Sequence, residues 1–155
     1  MDSYQLLKLI HIISATLLFG TGSGTALFLY MANRSANLAA IQTTIRTVVL
    51  ADWLFTTPAI IIQPVTGYLL MQQLGYAFDS WWFILVAGLY ILAGLCWLPV
   101  VYIQIRIRTL TDAFREYTEL PPPYHRMIRI WRLLGIPAFS AVLVLFGMMV
   151  FKPWL

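Results

Sequence analysis

Charge is the scarcest property of this sequence. Lys and Arg number 10 and Asp and Glu six among 155 residues, of which 61% are hydrophobic. Soluble chains carry about 25% charged residues, so this one cannot cover its apolar surface in water, and a soluble globular domain is excluded. Cysteine is nearly absent too. Cys96 stands alone, which rules out an intrachain disulfide and a cysteine-built zinc site and leaves a buried packing role. There are two histidines, His11 and His125, and no His/Cys/Asp/Glu cluster with zinc spacing. Low-complexity tracts, internal repeats and a separate soluble domain are missing as well. So is the ten-residue alternation of a membrane β-barrel.

What remains is long apolar runs. Residues 9–33, 53–78, 80–105 and 133–151 contain no Lys, Arg, Asp or Glu. Each meets the ~20 residues that a helix needs to cross ~30 Å of hydrocarbon. The expected fold is all-α: a four-transmembrane-helix bundle forming one integral membrane domain over 1–155, with spans at about 5–30, 48–72, 81–105 and 129–152. The first span is too long for a secretory signal, Asp2 precedes its basic residue, and no small-x-small cleavage site follows, so it is kept as a helix.

Orientation follows from the basic residues. Arg34 and Arg46 follow span one, and Arg106, Arg108, Arg115, Arg126, Arg129 and Arg132 lie between spans three and four or at the start of the latter. "QQLGYAFDSWW", between spans two and three, has none. Positive segments stay in the cytoplasm, so both termini are expected on the outer, periplasmic side of a bacterial inner membrane. The net charge of +4 is then a topology signal and a contact for lipid headgroups, with no nucleic-acid partner implied. Trp81, Trp82, Trp131 and Trp154 fit interfacial belts.

"LLKLIHIISATLLFG", residues 6–20, sets an imidazole inside the first span. His11 lies about six residues from the outer end, roughly 9 Å deep at 1.5 Å per residue. The same outer half should hold Gln63, Tyr68 and Met71 in span two, the Trp81–Trp82 pair, and Met148, Met149 and Lys152 in span four. His125 belongs to the opposite surface. Helical spacing puts Tyr4, Lys8, His11, Ser14 and Ala15 on one stripe, which should face protein. Gly20 and Gly24 give a small-xxx-small spacing suited to helix packing, within the chain or in a homodimer. A polar group at this depth is costly unless satisfied or used. Two readings stay open: His11 locks helices together through Ser14, Gln63 or a carbonyl, or it ligates a metal or moves a proton. A porphyrin asks the least of the protein, since its own nitrogens fill four positions.

Other features have plain readings beside functional ones. Pro58, Pro64, Pro99 and Pro137 interrupt spans two to four, and the carbonyls they free need partners. Asp52 is expected at the cytoplasmic end of span two, paired with Arg46 or Arg132. "LPPPYHR" contains a PPxY pattern read by some peptide-binding modules, and also reads as a stiff segment before a helix.

"LLKLIHIISATLLFGTG", "TTPAIIIQPVTG" and "IWRLLGIPAFSAVLVLFGMMVFKP" together resemble the J-type protoporphyrinogen oxidases, small bacterial membrane proteins. "VVLADW", "QPVTG", "WLPVVYIQIRIR" and "PPPYHR" resemble a sister family of four-helix inner-membrane proteins with no assigned function, over nearly the whole chain. The oxidase resemblance implies haem b held by His11, a role for Lys152 in the closing "FKP", and flavin-free oxidation of a porphyrinogen. The third span departs from the oxidase pattern, since "DSWWFILVAG" has neither histidine nor lysine.

The expected function is a membrane b-type haem redox protein that oxidises a porphyrinogen or passes electrons to a quinone. His11 is the iron ligand, Met148 or Met149 the candidate opposite ligand, Lys8 and Lys152 the partners of the haem propionates, and Gln63 a cavity-lining residue. The alternative is a non-enzymatic membrane component. It would be a complex subunit, or a copper- or small-solute-handling protein like the copper-resistance D-type membrane proteins that such bundles also resemble, with Met71, Met148, Met149 and His11 as soft-metal ligands.

Overall fold

The computed structural model describes residues 2–113 and 120–153. Arg115 and Trp154, assigned above to topology and to an interfacial belt, lie outside the described residues. The chain forms α1 (Ser3–Arg34), α2 (Leu38–Ala51), α3 (Thr57–Leu74), α4 (Trp81–Asp112) and α5 (Pro122–Phe151), and a π-helical turn, Asp52–Thr56, joins α2 to α3 without a break. α2, the turn and α3 are therefore one rod, Leu38–Leu74. Among the described residues four rods are long and apolar enough to cross a membrane. They overrun the expected spans, most of all at Leu38, ten residues before the expected start of the second. Asp52 consequently sits 14 residues inside a rod and not at its end.

Local chemistry sets the ends. The Asn37 side chain accepts from the Ala40 N–H at 3.1 Å and the Ser80 hydroxyl from the Phe83 N–H at 3.3 Å, capping α2 and α4. Gly75 closes α3 at φ +67°, a left-handed conformation that glycine adopts without strain. Pro122 opens α5, where no amide hydrogen is missed. The PPxY tyrosine is sealed: Tyr124 is fully buried and donates to Asn33 Oδ1 at 2.9 Å, so the pattern starts a helix and is not a docking motif.

Proline accounts for two further features. Pro64 has no N–H for the Ile60 carbonyl four residues earlier, and the Tyr90 hydroxyl of α4 donates to that carbonyl instead. Pro58 follows directly on the π turn, whose wider bonding runs from the Thr57 N–H to the Asp52 carbonyl. Such turns are common at functional positions.

The rods pair as α1 with α3 and α4 with α5, and α2 joins the pairs by packing on both α1 and α4. Leu29, Ile41, Ile45, Ile107, Tyr124 and Trp131 belong to the core at that end, where the basic residues cluster. The Arg46 guanidinium meets Asp112 at 2.7 Å there. Large apolar residues such as Leu27, Phe28, Ile61, Leu95 and Val150 are exposed around the outside, which is unfavourable in water and neutral in hydrocarbon. Of the three belt tryptophans among the described residues, Trp81 alone, 71% exposed, has the exposure that an interfacial belt requires. Trp82 is 4% exposed and donates to the Met148 carbonyl at 2.8 Å, and Trp131 is 7% exposed in the core, so both correct the belt assignment. Gly20 and Gly24 have open space where a Cβ would stand, so their spacing serves no close approach within this chain.

Tyr90→Phe should lower stability in detergent unfolding by about 1 kcal/mol. In a Pro64→Ala background, where the Ile60 carbonyl regains a backbone donor, the same change should cost measurably less.

Candidate functional site

At the end of the bundle that carries both termini, α1 and α5 barely meet. The two helix pairs stand apart around a mostly apolar cleft of about 1300 Å³. This exceeds the ~300–1,000 Å³ of ordinary small-molecule sites. Phe19 spans the gap, stacking on Phe139 with ring centroids 5.3 Å apart and meeting Phe146 edge-on.

A polar chain crosses from α1 to α3 on the cleft wall. The Ser14 hydroxyl bonds Gln63 Oε1. The Gln63 amide nitrogen is 3.0 Å from His11 Nε2, and His11 Nδ1 is 2.8 Å from Thr66 Oγ1. The Thr66 hydroxyl in turn donates to the Ile62 carbonyl at 2.8 Å. One proton arrangement satisfies every link. Because Gln63 accepts through oxygen, its NH₂ donates to Nε2. Nε2 is then the bare nitrogen, and Nδ1–H donates to Thr66. Gly67 completes the seat, since a Cβ there would stand 3.3 Å from His11 Cε1, tighter than normal packing. Gln63, Thr66 and Gly67 follow the i, i+3, i+4 rule along one face of α3. That spacing was available in "QPVTG", yet Thr66 and Gly67 were not singled out from the sequence.

Five of the six expected site residues line this cleft: His11, Gln63, Lys8, Lys152 and Met149. Met148 is not among the lining residues, and its carbonyl accepts from Trp82. Lys152 Nζ reaches the Tyr76 hydroxyl at 3.2 Å and lies over its ring, while Lys8 Nζ lies over Tyr4. His125, near the start of α5, is exposed at the opposite end of the bundle, because neighbouring Tyr124 bonds Asn33 near the end of α1. Among the described residues no three His, Cys, Asp or Glu side chains come together to hold a metal ion.

Residues 5–153 match the model of the family DUF2269, described as a predicted integral membrane protein. The chain belongs to that family. No curated protein and no solved structure matches it. Family membership and four apolar rods agree that the chain resides in a lipid bilayer. The family description names no activity, so function rests on the chemistry of the cleft.

Thr66→Val keeps the shape of the side chain but removes the acceptor of Nδ1–H. It should cost about 1 kcal/mol in detergent unfolding, whereas Thr66→Ser should stay close to the parent protein.

Proposed function

We propose that the protein is a b-type haem-binding redox protein of the bacterial inner membrane, with His11 as the iron ligand. The observation that carries this reading is a half-buried imidazole on the wall of a large apolar cleft, its Nδ1 fixed by Thr66. Metal-ligating histidines are held in this way, with the distal ring N–H donating to a neighbouring oxygen so that the other nitrogen's lone pair is presented. A single imidazole, where no three His, Cys, Asp or Glu side chains come together among the described residues, suits an iron that arrives with four porphyrin nitrogens. When bound, the haem would supply one-electron redox chemistry, exchanged in this reading with a porphyrinogen or a quinone.

The chain's own residues have separable duties. Thr66 orients the ring and Gly67 leaves room for it. The Gln63 amide occupies Nε2 and must turn aside before that nitrogen can ligate. Lys8 and Lys152 put two positive charges on the cleft wall, suited to propionates. Met149, unlike Met148, is on the wall, and its thioether would be the candidate second ligand. With basic segments in the cytoplasm, the His11 end faces outward. A copper site is the second reading, favoured by the shared lining position of His11, Met71 and Met149.

Protein purified from haem-replete cells should show a Soret band that His11→Ala abolishes. Gln63→Leu should bind haem more tightly, about fivefold if one net hydrogen bond of ~1 kcal/mol no longer competes. A colourless protein, or a band unchanged in His11→Ala, overturns the haem reading. Copper found by elemental analysis and lost with His11→Ala establishes the second.

A further inference from the structure

A second polar group of residues lies at the other end of the cleft. Asp52 on the π turn is 4% exposed, Gln104 on α4 4% and Trp131 on α5 7%. All three line the cleft. Asp52 Oδ1 accepts from the Thr56 hydroxyl at 2.9 Å, and the Gln104 amide also donates to the carboxyl. Yet Asp52 Oδ2, Gln104 Oε1 and Trp131 Nε1 are buried without a hydrogen-bond partner. They are the only such side-chain atoms among the described residues, they come from three different rods, and they gather on one cavity.

Asp52 was expected to pair with Arg46 or Arg132. Arg46 is committed to Asp112 at 2.7 Å, and among the described residues neither arginine forms an ion pair with Asp52. Tyr30 of α1 and Arg132 of α5 share the cleft wall with it. An ionised carboxyl with one bare oxygen and no cation beside it is strongly disfavoured away from water. One hydrogen turns Oδ2 from a bare acceptor into a donor, which any oxygen in the cleft can satisfy. The Trp131 indole N–H is then left as a donor for a ligand or water oxygen in the cleft. Asp52 and Thr66 are 14 residues apart on one rod, about 20 Å, so this group is separate from the His11 chain.

We propose that Asp52, with Gln104 and Trp131, is a proton-exchange site at the far end of the cleft, so that the chemistry housed there is proton-coupled. Asp52 Oδ2 takes up one proton from water in the cleft and returns it to water there. The proposal is independent of haem, because it rests on different residues and is read without a spectrum of the cofactor.

Intact protein in lipid nanodiscs, treated with the apolar reagent dicyclohexylcarbodiimide, tests it. A protonated carboxyl transfers its hydrogen to a carbodiimide nitrogen while the carboxylate oxygen bonds the central carbon. Rearrangement leaves an N-acylurea that retains the whole reagent. Peptide mapping by mass spectrometry should find the adduct on Asp52, resistant to a water-soluble amine and lost in Asp52→Asn. Infrared spectra should show a protonated-carboxyl carbonyl band that shifts in D₂O and is absent from the variant. An unmodified Asp52 in the parent protein, or an adduct that the amine intercepts as it does at exposed Asp79, overturns the proposal. If Asp52→Asn does not fold, mapping on the parent protein alone decides between these outcomes.

Discussion

Inside a bilayer no solvent stands by to satisfy a polar group, so each donor and acceptor must find its partner within the protein. Much of this structure follows from that constraint. Hydroxyls of Thr16, Ser23 and Thr25 donate back to carbonyls of their own helix. The carbonyl released by Pro64 is met from a different rod by Tyr90. Ser14, Gln63, His11 and Thr66 satisfy one another across α1 and α3, which fixes the register of that helix pair. Against this background of near-complete pairing, the atoms of Asp52, Gln104 and Trp131 stand out as buried and without a partner on the cleft wall.

The bundle divides its labour along its axis. Where α2 packs on both α1 and α4, β-branched and aromatic side chains fill the interior and Arg46 ties to Asp112. Toward the other end the α1–α3 and α4–α5 pairs separate, and aromatic contacts from Phe19 bridge the opening. Lipid tails give no hydrophobic drive to close such a gap. A cleft of this size can therefore persist if the buried core and the polar chain hold each pair rigid.

Of the two readings that its position raised, the structure shows His11 in the packing one. It locks two helices through both ring nitrogens, and the lock leaves one nitrogen without a proton of its own. The partner of that nitrogen is a neutral amide, worth about 1 kcal/mol, which a metal–nitrogen bond would readily replace. Thr66 would keep the ring in place throughout. In the proposed haem reading, helix packing and ligand binding would be successive uses of one hydrogen-bonded arrangement.

The number of rods, their membrane residence and the placement of His11 and His125 at opposite ends of the bundle were legible in the sequence, because a hydrocarbon solvent sorts residues by charge along the chain, one dimension at a time. The partnership of Gln63 with His11 was foreseeable from similar depth. The fate of Trp82 and Trp131 was not, since a tryptophan near a helix end can face headgroups or a neighbouring helix, and only the rotation of α4 and α5 decides which. The unbroken rod through Asp52 depended on a π turn that no propensity signals. That Asp52, Gln104 and Trp131 line one cleft required three rods to converge. Depth is written residue by residue, but azimuth, the direction each helix face looks, is settled only when the helices pack together.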